Sequence, residues 1–343
     1  MKRVQGLDSI RFICAFAVMI GHFGIQNLPV SDNSLAKVIP LINGILNNLS
    51  PGIAAVIIFF VISGFCIHYP YAIGKKMSVV EFYIQRILRI ALPAITAWLI
   101  YKYTMNLHMG VIWSLICEGI YYFIYPLVLR YKHKVSLQKM IFVAVAASLL
   151  ISFYFTLHSP SYNGDFHRFG FGATWIVGFP IWLLGVLVAE KVASGTFVED
   201  VSYKKLLVLR ILVWGSAVVC SVIRFHLEIS YAYTLLPFSF IVYYWLIREI
   251  RYYEGKTEFK WLAFGGVISY SIYLVHAYVQ EIFELYLNII ARENLIVMLF
   301  ILLISMMVSY LFYWVIEKPS HSLARSIKIS PKVLPKKEPS ELV

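Results

Sequence analysis

The feature that most constrains this chain is the recurrence of uninterrupted apolar runs close to twenty residues long. Ten occur, over approximately 9–27, 51–72, 86–103, 111–130, 138–157, 171–190, 206–224, 230–248, 263–285 and 295–316. As helix, about 20 residues rise about 30 Å, the thickness of a bilayer's hydrocarbon core. Within lipid, only helices and closed barrels satisfy their own backbone groups. The runs are continuous rather than alternating, which selects helix. The expected fold is therefore all-α: a polytopic membrane bundle of about ten transmembrane helices. Composition agrees, with 60% hydrophobic and 14% charged residues and a mean hydropathy of +0.75. Soluble domains average about 45–50% apolar and about 25% charged residues. The first run is too long for a signal-peptide core and no small-residue cleavage site follows it, so it reads as a span. Spans 86–103 and 111–130 are expected to form a hairpin. Residues 1–318 read as one integral-membrane domain, and 319–343 as a basic, proline-punctuated and disordered cytoplasmic tail.

The net charge of +12 could suggest a nucleic-acid partner, but its distribution argues for topology. With the N-terminus placed in the cytoplasm, 24 of the 30 Lys and Arg fall in cytoplasmic segments and 5 in outer loops, leaving Arg11 inside the first run. By the positive-inside rule both termini face the cytoplasm, and no nucleic acid is implied. The four cysteines (Cys14, Cys66, Cys117, Cys220) all lie in apolar runs and none has metal-ligand spacing, so neither disulfide nor metal is inferred.

Polar groups inside spans are costly and mark function. His22 lies at the far end of the first run, about 21 Å along the helix from Asp8, and is the candidate catalytic base. Arg86 and Arg89 stand at i and i+3, one above the other on a helix face where guanidinium forks suit phosphate. The plainer reading, a positive-inside anchor that snorkels to headgroups, weighs equally on spacing alone. Glu118 lies about 10 Å into the fourth span, a depth His22 could share, which makes it a candidate catalytic partner. The plainer reading there is a packing ion pair. Trp113 and Tyr122 flank it. The stretch Ser269–His276 ends in a second intramembrane histidine, His276, which reads as structural or substrate-lining. Ser63-Gly64 reads as close helix packing, His68 and His108 as interfacial, and Glu317-Lys318-Pro319 as a helix stop.

Taken together these stretches resemble the membrane-bound acyltransferase-3 family, bacterial cell-surface saccharide O-acetyltransferases. The resemblance is carried by LDSIRFICAFAVMIGHF at 7–23, FFVISGF at 59–65, RILRIALP at 86–93, WSLICEGIYYFIYPL at 113–127, SYSIYLVH at 269–276 and VIEKP at 315–319. It implies a multi-pass protein of the bacterial inner membrane with no permanently bound cofactor. Acetyl-CoA is then the donor co-substrate, and a saccharide hydroxyl, cell-surface or lipid-linked, the acceptor. The family's histidine falls on His22, its first-helix arginine on Arg11, its Arg-x-x-Arg pair on Arg86 and Arg89, and its glutamate on Glu118. On this reading Arg11, Arg86 and Arg89 hold the donor's phosphates and Glu118 orients His22. Trp113, Tyr122 and His276 line the substrate, with Asp165, His167 and Arg168 as further sugar contacts. Direct transfer and an acetyl-histidine relay both remain open, as does the oligomeric state. The rival classes are a proton-coupled carrier and a non-catalytic assembly subunit. No inverted repeat favours the carrier.

Overall fold

The computed structural model of the chain describes residues 4–24, 39–104, 112–159, 163–195, 201–290 and 294–328. Among them no strand occurs. The helices are α1 (Leu7–Phe23), α2 (Ile39–Asn48), α3 (Gly52–Ala72), α4 (Val79–Arg86), α5 (Leu92–Thr104), α6 (Ile112–Tyr131), α7 (Leu137–His158), α8 (Gly170–Ala193), α9 (Tyr203–His226), α10 (Tyr231–Tyr252), α11 (Lys260–Val267), α12 (Ser269–Leu287), α13 (Leu295–Phe312) and α14 (Lys318–Ser326). Local chemistry starts several of them. Ser136, Ser202 and Asn294 cap α7, α9 and α13 by accepting backbone N–H bonds. Ser78 and Glu81 open α4 in a Ser-x-x-Glu arrangement.

Seven helical stretches among the described residues are long and apolar enough to cross a membrane, and an eighth if the pair α11 and α12, bent by 67°, counts as one. Ten were expected. The two missing are α1 and α10. At 17 residues, α1 lies at the short limit for a span. Helix α10 is 22 residues long, but tyrosines, Ser239 and Thr234 interrupt its apolar run and Arg248, Glu249 and Arg251 close it. The fold is nonetheless that of a polytopic membrane bundle. Residues such as Phe142, Leu150, Ile211 and Ile296 stand exposed on α7, α9 and α13, as the lipid-facing surface of a bundle requires.

The tightest packing joins α3 to α8. A Cβ on Gly64 would strike the Trp182 carbonyl oxygen, and one on Gly185 would strike that of Val61, so each helix lies in a groove that only glycine leaves open. Helix α1 is held from three sides, by α3, α11 and α12. Gly266 leaves room for the Asp8 backbone and Gly265 for the Phe12 ring. Ser9 is anchored through its hydroxyl, 2.6 Å from the buried Glu258 carboxylate.

Two π-helical turns interrupt the spans, Ile87–Ala91 between α4 and α5, and Tyr313–Glu317 between α13 and α14. They are linked through α14, whose Ser320 hydroxyl donates to the Leu88 carbonyl. Helix α5 packs on α12 and on the second π turn, and α6 touches α4, while the loop of the expected hairpin of 86–103 with 111–130 lies outside the described residues. The expected disordered tail instead starts as helix: Lys318–Ser326 is α14, docked on α4 and the first π turn. Pro319 falls at the start of α14, directly after the π turn.

Candidate active site

Helix α1 carries charge at one end and an imidazole at the other. Arg11 and His22 are eleven residues apart, about 16 Å along the axis. Each end meets a different part of the bundle.

At the arginine end, Arg11 pairs with Asp8 one turn earlier (3.1 Å) and donates to Cys66 Sγ (3.0 Å). Arg89 lies within electrostatic reach of both Arg86 and Arg11, and of Cys66 and Tyr122. The π turn explains this placement. Its extra residue shifts the register between α4 and α5 and carries Arg89 at its centre, a device frequent at functional sites. Tyr270 holds the turn by donating to the Ile90 carbonyl at 2.8 Å. The second π turn brings in Glu317, 1% exposed, which accepts from Ser271 at 2.5 Å and faces Arg89 and Arg11 electrostatically. His321 stands 3.6 Å from Glu317 and near Arg86 and Arg89. Sequence reading took Glu317 for a helix stop. It is instead the buried carboxylate of this cluster.

Among the described residues, neither Arg86 nor Arg89 has a carboxylate within ion-pair distance, and Arg86 Nε is buried without a hydrogen-bond partner. Two guanidinium groups that face each other without a direct counter-ion are at once repulsive and under-solvated. An anion relieves both penalties, and phosphate oxygens match the guanidinium fork.

Between the two ends sits Glu118 on α6. It accepts from the Ser63 hydroxyl at 2.5 Å and from the Tyr122 hydroxyl. Trp182 donates to the same Ser63 oxygen at 3.3 Å. The structure therefore brings Glu118 to Ser63 and Tyr122, and makes no hydrogen bond between Glu118 and His22. Tyr122, expected to line the substrate, is buried in this network. Ser63 was read as a packing residue, and the interlocked Gly64 beside it is what fixes the hydroxyl in place. Ser114 and Tyr273 bond at 2.6 Å between α6 and α12 and continue the polar path.

At the histidine end, His22 faces His276. Their ring centroids are 5.0 Å apart with planes at 77°. As a residue His22 is exposed, whereas His276 is fully buried. Gln280 on α12 donates to the His22 backbone carbonyl at 3.2 Å and fastens the two helices there. His167 lies in the short helical turn Phe166–Phe169 and within electrostatic reach of His22. Burial pushes the His167 imidazole down and Arg168 adds to this, while Asp165 pulls it up. The buried Trp113 ring stands 6.3 Å from it. The other two expected sugar contacts differ in kind. Asp165 is taken up by an ion pair with Arg224 (3.1 Å), while Arg168 is exposed. Of the two histidines read as interfacial, His68 is sealed between Tyr125 (2.8 Å) and Glu190 (2.6 Å), with Lys132 on the same carboxylate. His108 lies outside the described residues.

The arrangement as a whole places a cluster of arginines at one end of one short helix and an exposed histidine at the other, with the bonded group of Glu118, Ser63 and Tyr122 on neighbouring helices. Residues 4–314 match the model of a family described as "Acyltransferase domain". Comparison with curated proteins and with solved structures finds no match.

Proposed function

The chain belongs to the membrane-bound acyltransferase-3 family, and from that premise we propose that it moves an acetyl group from cytoplasmic acetyl-CoA to a hydroxyl of a cell-surface or lipid-linked saccharide (O-antigen, capsule or exopolysaccharide). The observation that carries the reading is the division of labour along α1, with Arg86 and Arg89, which lack a direct ion pair among the described residues, gathered at one end and the exposed His22 at the other. Acetyl-CoA is an elongated molecule with phosphates at one end and a thioester at the other. Arg86 and Arg89, with Arg11 behind them, receive the phosphates, and the pantetheine arm runs along the polar path towards His22.

In the reaction His22 takes the proton of the acceptor hydroxyl while that oxygen attacks the thioester carbonyl. The C–O bond forms, the C–S bond breaks, and the proton passes on to the departing sulfur, so coenzyme A leaves as its thiol. Glu118 acts through Ser63 and Tyr122, keeping the wall of the path fixed. His167, as a neutral imidazole, offers a hydrogen bond to the sugar's hydroxyls, and the buried Trp113 ring backs it at 6.3 Å. The Lys/Arg distribution supports ten crossings with both termini cytoplasmic. The arginine end is then cytoplasmic, where acetyl-CoA is found, and the His22 end lies towards the outer leaflet of the inner membrane.

The test is acetyl-CoA consumption by the purified full-length protein supplied with saccharide acceptors. Wild type is expected to release coenzyme A in an acceptor-dependent manner and His22→Ala is not. Equal release by the two, or none by wild type with any acceptor, overturns the reading, and the latter result is what a carrier gives.

A further inference from the structure

We infer that His276 is the positioning residue of His22: its sealed Nε2 accepts a hydrogen bond from the His22 ring and so decides which His22 nitrogen is left free to act as base. The inference rests on the reading of His22 as base and takes the orienting role away from Glu118, whose bonds go elsewhere.

Three observations lead to it. First, His276 Nδ1 lies 2.9 Å from the Ile272 carbonyl oxygen, one turn earlier on α12. A carbonyl only accepts, so Nδ1 carries the hydrogen, and a neutral imidazole then presents Nε2 as a lone pair. Second, that Nε2 is buried and has no hydrogen-bond partner. Leaving such an acceptor unsatisfied costs about 1–3 kcal/mol. Third, the ring facing His276 at closest range is that of His22, centroid to centroid 5.0 Å. A ring nitrogen lies roughly 1.2 Å from its centroid and an N–H···N bond spans about 2.9 Å, so bonded imidazoles sit about 5 Å apart. The two rings are thus at a centroid separation that such a bond allows, with the bond itself not made in the structure. A turn of His22 about its last torsion, which has broad minima, brings an N–H onto the lone pair.

The surroundings favour the same division of roles. His276 is sealed and held by its own helix, which makes it a fixed reference. His22 stands in front of it, exposed, with the Gln280 bond holding the two helices together. Among the described residues no carboxylate bonds either ring; His167 lies within electrostatic reach of His22, and the Tyr273 ring is 6.2 Å from His276. A neutral imidazole here does what the acid does in a triad, fixing tautomer and direction, without adding a buried negative charge. When His22 takes the acceptor's proton, the hydrogen on its other nitrogen remains bonded to His276 Nε2.

The test uses the purified full chain. His276→Leu is expected to lower kcat roughly a hundredfold, the scale of a misdirected catalytic group, with KM for donor and acceptor unchanged. His276→Gln, whose amide oxygen can stand where Nε2 stood, is expected to recover most of kcat. A readout independent of turnover is the nitrogen-15 spectrum of histidine-labelled protein: His22 should appear as one neutral tautomer in wild type and in His276→Gln, and as a mixture in His276→Leu. An unchanged kcat in His276→Leu, a rise in acceptor KM alone, or a mixed tautomer already present in wild type overturns the inference and leaves the base assignment standing. Activity retained by His22→Ala overturns the base assignment itself. If the leucine variant does not fold, the glutamine variant decides, a single tautomer supporting the inference and a mixture overturning it.

Discussion

At the scale of single residues, the proposed site divides into groups that would bind and groups that would react, and kinetics should separate them. Arg86→Ala and Arg89→Ala each remove a charge-assisted contact worth about 1.5–3 kcal/mol, so the donor KM should rise roughly tenfold or more with kcat largely kept. Lysine at Arg89 should recover only part of the affinity, because an ammonium cannot reproduce the two-pronged bond. A kcat loss at constant KM in Arg89→Ala would mean that the arginine acts in the chemical step. His22 stood out as a candidate in the sequence because an imidazole in an apolar run is costly wherever the helix packs. The ring that it faces did not. Depth along the membrane normal allowed Glu118 to meet His22, but depth does not give the direction a residue faces. Residues of α6 that face α3 meet Ser63, while His22 on α1 faces α12. Glu317 was missed because the proline that follows it reads as a stop, whereas a π turn followed by a new helix places the carboxylate inward.

At the scale of elements, the position of Ser63, and through it Glu118, depends on the interlocked glycines of α3 and α8. Gly64→Ala and Gly185→Ala each drive a methyl group into a backbone carbonyl of the facing helix. Overpacking of this kind costs about 1–3 kcal/mol, so both variants should melt lower than wild type in detergent and lose activity in step. Gly215→Ala on α9 is the matched control, since a Cβ there meets nothing within 4 Å, and it should melt no lower than wild type. Equal melting of all three would show that the α3–α8 contact is looser than the structure has it. The spans themselves were legible as apolar runs. Their interruptions were not, because a π turn keeps the same residue types as the helix it interrupts, and the 67° bend between α11 and α12 falls at Ile268 with no proline to announce it.

For the whole molecule, the proposed chemistry depends on the orientation that the charge distribution implies, since the proposed donor is cytoplasmic and the proposed acceptors end at the cell surface. A fluorescent protein fused after Val343 should therefore fluoresce, and an alkaline phosphatase fused there should be inactive. The opposite pair would place the arginine cleft outside, away from acetyl-CoA. The most direct test of the central claim is mass spectrometry of the surface and lipid-linked glycans from wild-type cells, a deletion strain, and the deletion complemented with either the wild-type or the His22→Ala chain. O-acetyl groups are expected in wild type, with their loss on deletion, recovery with the wild-type chain, and no recovery with an equally abundant His22→Ala protein. Acetylation restored in full by His22→Ala, or glycans identical in every strain, would contradict that claim.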